Sequence, residues 1–131
     1  MKTDPERAPR GELQIRTVAM PADTNPNGDI FGGWVLSQMD IAGGTAAASR
    51  ARGRVATVGI EAMTFVRPVS VGDVVCCYAD IERVGKTSIS MAIEAWKIHR
   101  GQEREHRLLV TEGTFTFVAI DENGNKRPVD G

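Results

Sequence analysis

The chain has 131 residues, 41% of them hydrophobic and 25% charged, with a formal net charge of -1. That length suits one compact domain, and that balance excludes a disordered or fibrous protein. The near-neutral charge excludes a broad basic face for phosphate backbones, so nucleic acid is not an expected partner.

Residues 1–12 read as a flexible tail and 13–129 as the folded domain. The start, Met1 to Arg10, is polar and proline-bearing, unlike a secretory signal, and no apolar run approaches the roughly 20 residues of a bilayer span. A cytoplasmic protein without a membrane partner is expected. The run LQIRTVAM, from Leu13, reads as a strand that ends at Pro21 and opens a loop rich in Asp, Asn, Pro and Gly. From Gly32 the segment GGWVLSQMDIAGGTAAASR lacks proline, spaces Val35, Met39 and Ala42 as a helix does, and meets basic residues and a glycine between Arg50 and Gly53. It predicts one long helix. Its interior is rich in small residues, and a helical glycine costs about 1 kcal/mol against alanine. The pair Gly43 and Gly44 therefore predicts the close approach of another backbone.

Four runs of strand character follow: RVATVGIEAMTFVRP, DVVCCYADIERV, TSISMAIEAWKIH and HRLLVTEGTFTFVAI, separated by short polar or glycine-bearing turns. In the third of them Ile89, Met91, Ile93 and Ala95 alternate with Ser90, Ala92, Glu94 and Trp96, the period of two of a half-buried antiparallel strand. Cys76 and Cys77 are neighbours on a strand and point to opposite faces, which predicts free, partly buried thiols. One helix and five antiparallel strands bury each other best when the sheet curls around the helix, an α+β hotdog fold with a five-stranded sheet on one long central helix. Such a sheet leaves an edge and a helix flank open, and pairing two chains covers both.

The candidate chemistry concentrates in ADTNPNGDIFGGWVLSQMD, residues 22 to 40. Free amides at a glycine-bearing helix start, aided by the helix dipole, can hold a developing negative charge, so Gly32 and Gly33 can form an oxyanion hole for a thioester carbonyl. A tight turn alone would also account for the glycine pair. Asp40 follows Gly32 by eight residues, which at ~1.5 Å per residue is roughly 12 Å along the axis. One chain cannot bring both to one carbonyl; two antiparallel helices across a dimer can. A solvated Asp40 is the plain alternative, although a carboxylate in a crowded helix is costly without a role. Asp29, with Asn27 and Gly28, reads as a cap or turn former before it reads as a second catalytic acid. No G-x-S-x-G elbow occurs, His99 and His106 lie far along the chain, and the His and Cys residues lack metal-ligand spacing.

The stretches RTVAMPADTNPNGDIFGGWVLSQMD, GRVATVGIEAMTFVRPVSVGDVVCCYA and VGKTSISMAIEAW resemble the bacterial acyl-CoA thioesterases of the YciA type, within the hotdog superfamily. The resemblance runs from about Leu13 to Val129. It implies that Asp40 is the catalytic carboxylate and that Gly32 and Gly33 polarise the thioester carbonyl. It also implies CoA at a subunit boundary, with Arg67, Lys86, Thr87 and Ser88 near the phosphates and Asn27 and Thr57 as further contacts. No metal or separate cofactor is implied, CoA being part of the substrate, and a homodimer assembled into a hexamer is. Phe31 stands where some related enzymes carry histidine, which leaves Asp40 as the sole obvious base. A hotdog dehydratase and a non-catalytic acyl-CoA-binding module are the alternatives.

Overall fold

The computed structural model describes residues 7–99, 101–103 and 106–131. Strand β1 spans Glu12–Val18, helix α1 Gly32–Ala51, β2 Val55–Phe65, β3 Val74–Val84, β4 Ser88–Ile98 and β5 Leu108–Ala119. The strands form one antiparallel sheet in the order β1-β3-β4-β5-β2, with α1 laid across its inner face. The α+β hotdog arrangement expected from the sequence is therefore the one observed.

Hydrophobic burial sets the helix against the sheet. Val35, Met39, Ala42, Gly43, Ala47 and Ala51 are the buried positions of α1, a narrow stripe at helical spacing. They meet Ile89, Met91 and Ile93 of β4 and Phe115 and Phe117 of β5 in one cluster. Each fully buried side chain of this size contributes about 1.5–3 kcal/mol. Gly43 lets the helix sit this low: a Cβ there would overlap Ile93 Cδ1 and lie 2.8 Å from the Phe117 ring. The expectation of a neighbouring backbone is thus corrected. Side chains of the same chain fill the space, because β4 and β5 present their largest residues to the middle of the helix.

Three other expectations change. The helix stops with Arg52, not Gly53, in the left-handed region at φ 56°, and Arg127 donates to Ala51 O at 2.9 Å, which satisfies a terminal carbonyl. Glu94 and Trp96, on the face expected to meet solvent, are 3% and 0% exposed. The segment before β1 lies over them: Arg7 pairs with Glu94 and Glu112 and stacks on Trp96, Arg10 N donates to Glu94, and the Arg10 guanidinium pairs with Asp80 and Glu82. The part of the expected tail from Arg7 onward is therefore held on the sheet, while residues 1–6 lie outside the described residues. At the other terminus Val129 is buried and Asp130 pairs with Arg50 at 2.7 Å, so that end also packs.

Cys76 and Cys77 are buried and form no disulfide, and burial pushes the Cys77 thiol up to about 12. Strand β2 is the weakly covered edge. Its apolar Val58, Ile60 and Phe65, with Val66 just beyond it, are all exposed, as are Phe31 just before the helix and Ile41 at its middle. Among the described residues no helix is long and apolar enough to cross a membrane.

The closeness of α1 to the sheet can be measured. Gly43→Val overpacks the contact with Ile93 and Phe117 and should cost about 1–3 kcal/mol, lowering the melting midpoint by about 3–10 °C. A calorimetric midpoint equal to wild type would show that the space is not limiting.

Candidate active site

The loop leading to α1 is organised by Asn25. Its Oδ1 accepts the amides of Asn27 at 2.9 Å and Asp29 at 3.1 Å, and its own amide donates to Asp29 O at 2.7 Å. Gly28 sits in this turn at φ 86°, a conformation glycine adopts without strain. The turn role expected of Asp29, Asn27 and Gly28 is present in the backbone. Its side-chain agent, however, is Asn25, and the residue preceding the helix is Phe31, which makes no side-chain cap. Asp29 and Asn27 themselves are exposed. An Asn that precedes Pro in NPNG is a turn signal, and it was the clue to Asn25.

Gly32 and Gly33 form the first turn of α1 and are exposed. First-turn amides have no acceptor within the helix, and the dipole makes this end positive. A Cβ on Gly32 would touch the Phe65 ring at 3.7 Å, so the helix start lies beside the end of β2. Asp40, two turns on, is half-buried and accepts a 2.7 Å hydrogen bond from Thr57 Oγ1 near the beginning of β2. The helix and β2 therefore run in opposite directions, with Gly32 at one end of the chain's open edge and Asp40 at the other.

The remaining candidates divide between the same two ends. Thr57 is in register with Phe117, which is in register with Ile89, and Ala56 with Val118 and then Ser88. The hairpin carrying exposed Lys86 with half-buried Thr87 and Ser88 thus belongs to the Asp40 end, two strands away. Arg67 belongs to the Gly32 end, where its guanidinium donates to Leu109 O at 2.8 Å. Within one chain Arg67 and Lys86 are held apart, as Gly32 and Asp40 are. His99 is engaged with another carboxylate: its Nδ1 is 2.6 Å from Asp73 Oδ1. Among the described residues no group of three or more His, Cys, Asp or Glu could hold a metal ion.

A five-stranded antiparallel sheet packed on one long helix is the hotdog arrangement, here with a carboxylate on the helix and glycines at its start. Residues 27–103 match the model of the thioesterase superfamily. The chain is 55% identical over 128 residues to the acyl-CoA thioester hydrolase YciA of Salmonella typhimurium, covering 97% of this chain and 96% of that protein. A hexameric thioesterase from Yersinia pestis superposes with a TM-score of 0.89 at 52% identity, covering 95% of this chain and 99% of the other. A hexameric broad-specificity acyl-coenzyme A thioesterase superposes at 0.90 and 48% identity, covering 100% of this chain and 89% of the other. The chain belongs to the thioesterase superfamily and, within it, to the YciA-type acyl-CoA thioester hydrolases.

Thr57 Oγ1 orients the Asp40 carboxylate by one hydrogen bond at an exposed position, where water can replace the donor at little cost in stability. Thr57→Val keeps the shape and removes the donor on an exposed strand. Thioester hydrolysis should fall about tenfold in kcat/KM with an unchanged melting curve; full activity would show that Asp40 needs no such support.

Proposed function

We propose that the protein hydrolyses acyl-CoA thioesters to free acid and CoA at sites shared between two subunits. The observation that carries this reading is the division of the site: Asp40 with Thr57 at one end of β2, Gly32 and Gly33 at the other. A two-fold axis through the middle of β2 brings the Asp40 end of one chain to the Gly32 end of its partner, twice per dimer. The same pairing covers the exposed Val58, Ile60 and Phe65 edge, which a lone chain leaves in water. The assembly of related thioesterases as hexamers supports carrying the pairing further, to a trimer of dimers.

In this site the thioester carbonyl oxygen meets the Gly32 and Gly33 amides of one subunit, and these amides stabilise the oxyanion as the carbonyl carbon becomes tetrahedral. The Asp40 carboxylate of the other subunit either takes a proton from an attacking water or attacks the carbon itself, forming an anhydride that water then opens. In both routes the C–S bond breaks and CoA leaves as a thiolate that gains a proton. No cofactor is required. Lys86, Thr87 and Ser88 lie on the Asp40 side, where cation and hydroxyls suit the CoA phosphates. Arg67 would join them only from the partner subunit, and its bond to Leu109 O makes it a support of the β2 end as much as a phosphate contact. Asn27 borders the Gly32 end from the exposed loop. Cys76 and Cys77, which form no disulfide, suit a reducing compartment. A dehydratase is disfavoured because Phe31, and no histidine, stands at the helix start and His99 is bound to Asp73.

Two experiments test this. Asp40→Asn keeps shape but cannot accept a proton or attack, so thiol release from acyl-CoA should drop by about 10² or more with the oligomer intact; retention of over about a tenth of activity would remove Asp40 from the chemistry. Mixing Asp40→Asn with a chain carrying a bulky residue at Gly32 should restore activity, since a mixed dimer holds one site with neither lesion. With random pairing the recovery approaches about a quarter of wild type by the symmetry of the interface. Verified subunit exchange without recovery would show that both residues act from one chain.

A further inference from the structure

Asp73 and Lys97 are 2% and 4% exposed, and the chemistry above uses neither. They lie where β4 ends under the segment joining β2 to β3. Lys97 Nζ donates to Pro68 O at 2.6 Å and stands 3.9 Å from Asp73 Oδ2. That oxygen accepts Ser70 N at 2.9 Å, and Oδ1 is 2.6 Å from Nδ1 of the half-exposed His99. The segment from Pro68 to Asp73 is thus tied to β4 by an ammonium and a carboxylate.

That segment is in turn the platform for the loop that delivers the helix start. Gly72 N donates to Ala19 O at 2.8 Å and Ala19 N to Asp73 O at 2.9 Å, which fixes the loop where it leaves β1. At its far end Ile30 N donates to Val69 O at 2.9 Å, with Ile30 and Val69 both buried. Ile30 precedes Gly32 by two residues. A short path therefore runs from Lys97 through Pro68 and Val69 to Ile30 and the first amides of α1. A buried charged pair is an expensive filler, since apolar residues of like volume often stabilise as well or better. What charges add is direction, because each bond here fixes one carbonyl or amide in place.

We propose that Lys97 and Asp73 are positioning residues for the carbonyl-binding end of the site, setting the Gly32 and Gly33 amides through the Pro68–Asp73 segment and Ile30. This rests on the reading of Gly32 and Gly33 as the oxyanion donors. It predicts a loss in turnover out of proportion to any loss in substrate binding, because misplaced donors fail chiefly in the transition state.

The test measures steady-state kinetics, melting and amide hydrogen exchange on the assembled enzyme. Lys97→Met, and Lys97→Met combined with Asp73→Asn, should lower kcat about tenfold or more while KM changes less than about threefold. Exchange at Ile30 should quicken in the same variants, and Lys97→Arg, which can still donate to Pro68 O, should recover part of the turnover. Wild-type kcat in a folded Lys97→Met variant would overturn the proposal, as would a fall in kcat that tracks melting with Ile30 exchange unchanged. Should neither variant fold, the wild-type enzyme still decides: Ile30 must exchange as slowly as the central amides of β4, and exchange at the rate of an open loop refutes the strut. A bulky Gly32 variant run alongside separates the two ideas. If it keeps full turnover, the oxyanion reading fails; if it is inactive while Lys97→Met is not, only the present proposal does.

Discussion

The low seating of α1 on the sheet at Gly43 is the contact on which the rest of the molecule depends. With Ile93 and Phe117 occupying the place of a side chain, the helix axis comes near enough for all five strands to touch it. The sheet stays open, with β1 and β2 at its two edges, and the β2 edge leaves apolar side chains exposed. The candidate site residues Asp40, Thr57 and Gly32 lie along that edge.

The helix then acts as a ruler. Its rise separates the free amides at Gly32 from the carboxylate at Asp40 by roughly 12 Å, and β2, running the other way, anchors Asp40 at Thr57 and brings Phe65 to Gly32. Neither end alone can both polarise a carbonyl and supply a base. In the proposed function, two-fold pairing meets the distance problem and the exposed-edge problem with one interface. The hexameric state of its structural neighbours fits that logic.

Charge is used sparingly in the core, and where it is buried it is fully partnered. On the outer face Glu94 receives Trp96 Nε1 at 3.0 Å, the Arg10 amide and Arg7, so the segment before β1 is fixed by a carboxylate that would otherwise be stranded. Under the β2–β3 connection Asp73 and Lys97 do the equivalent for the loop that carries the helix start. Among the described residues no buried side-chain polar atom is left without a hydrogen bond. Both groups convert irregular segments, which have no sheet ladder to hold them, into parts of fixed position.

Most of the architecture was legible in the sequence because it is written in local patterns. The period of two in Ile89 to Ala95, the proline-free run from Gly32 and the glycine and polar turns between strands each act over a few residues, and they determined five strands, one helix and their order. The 12 Å between Gly32 and Asp40 was equally legible, since helical rise does not depend on context. Other features required the folded chain. That Glu94 and Trp96 lie under Arg7, and that Arg67 is bound to Leu109 O, are contacts between residues far apart in sequence and close in space. Lys97 left a trace, falling on the inward parity of β4 after Ala95, but its partners Pro68 and Asp73 sit across a strand boundary. Sequence by itself settled which elements form and which residue types could do the chemistry, because propensity and periodicity are short-range. Only the tertiary structure decided which of those residues meet, because hydrogen bonds and ion pairs depend on distances set by the packing of the whole sheet on the helix.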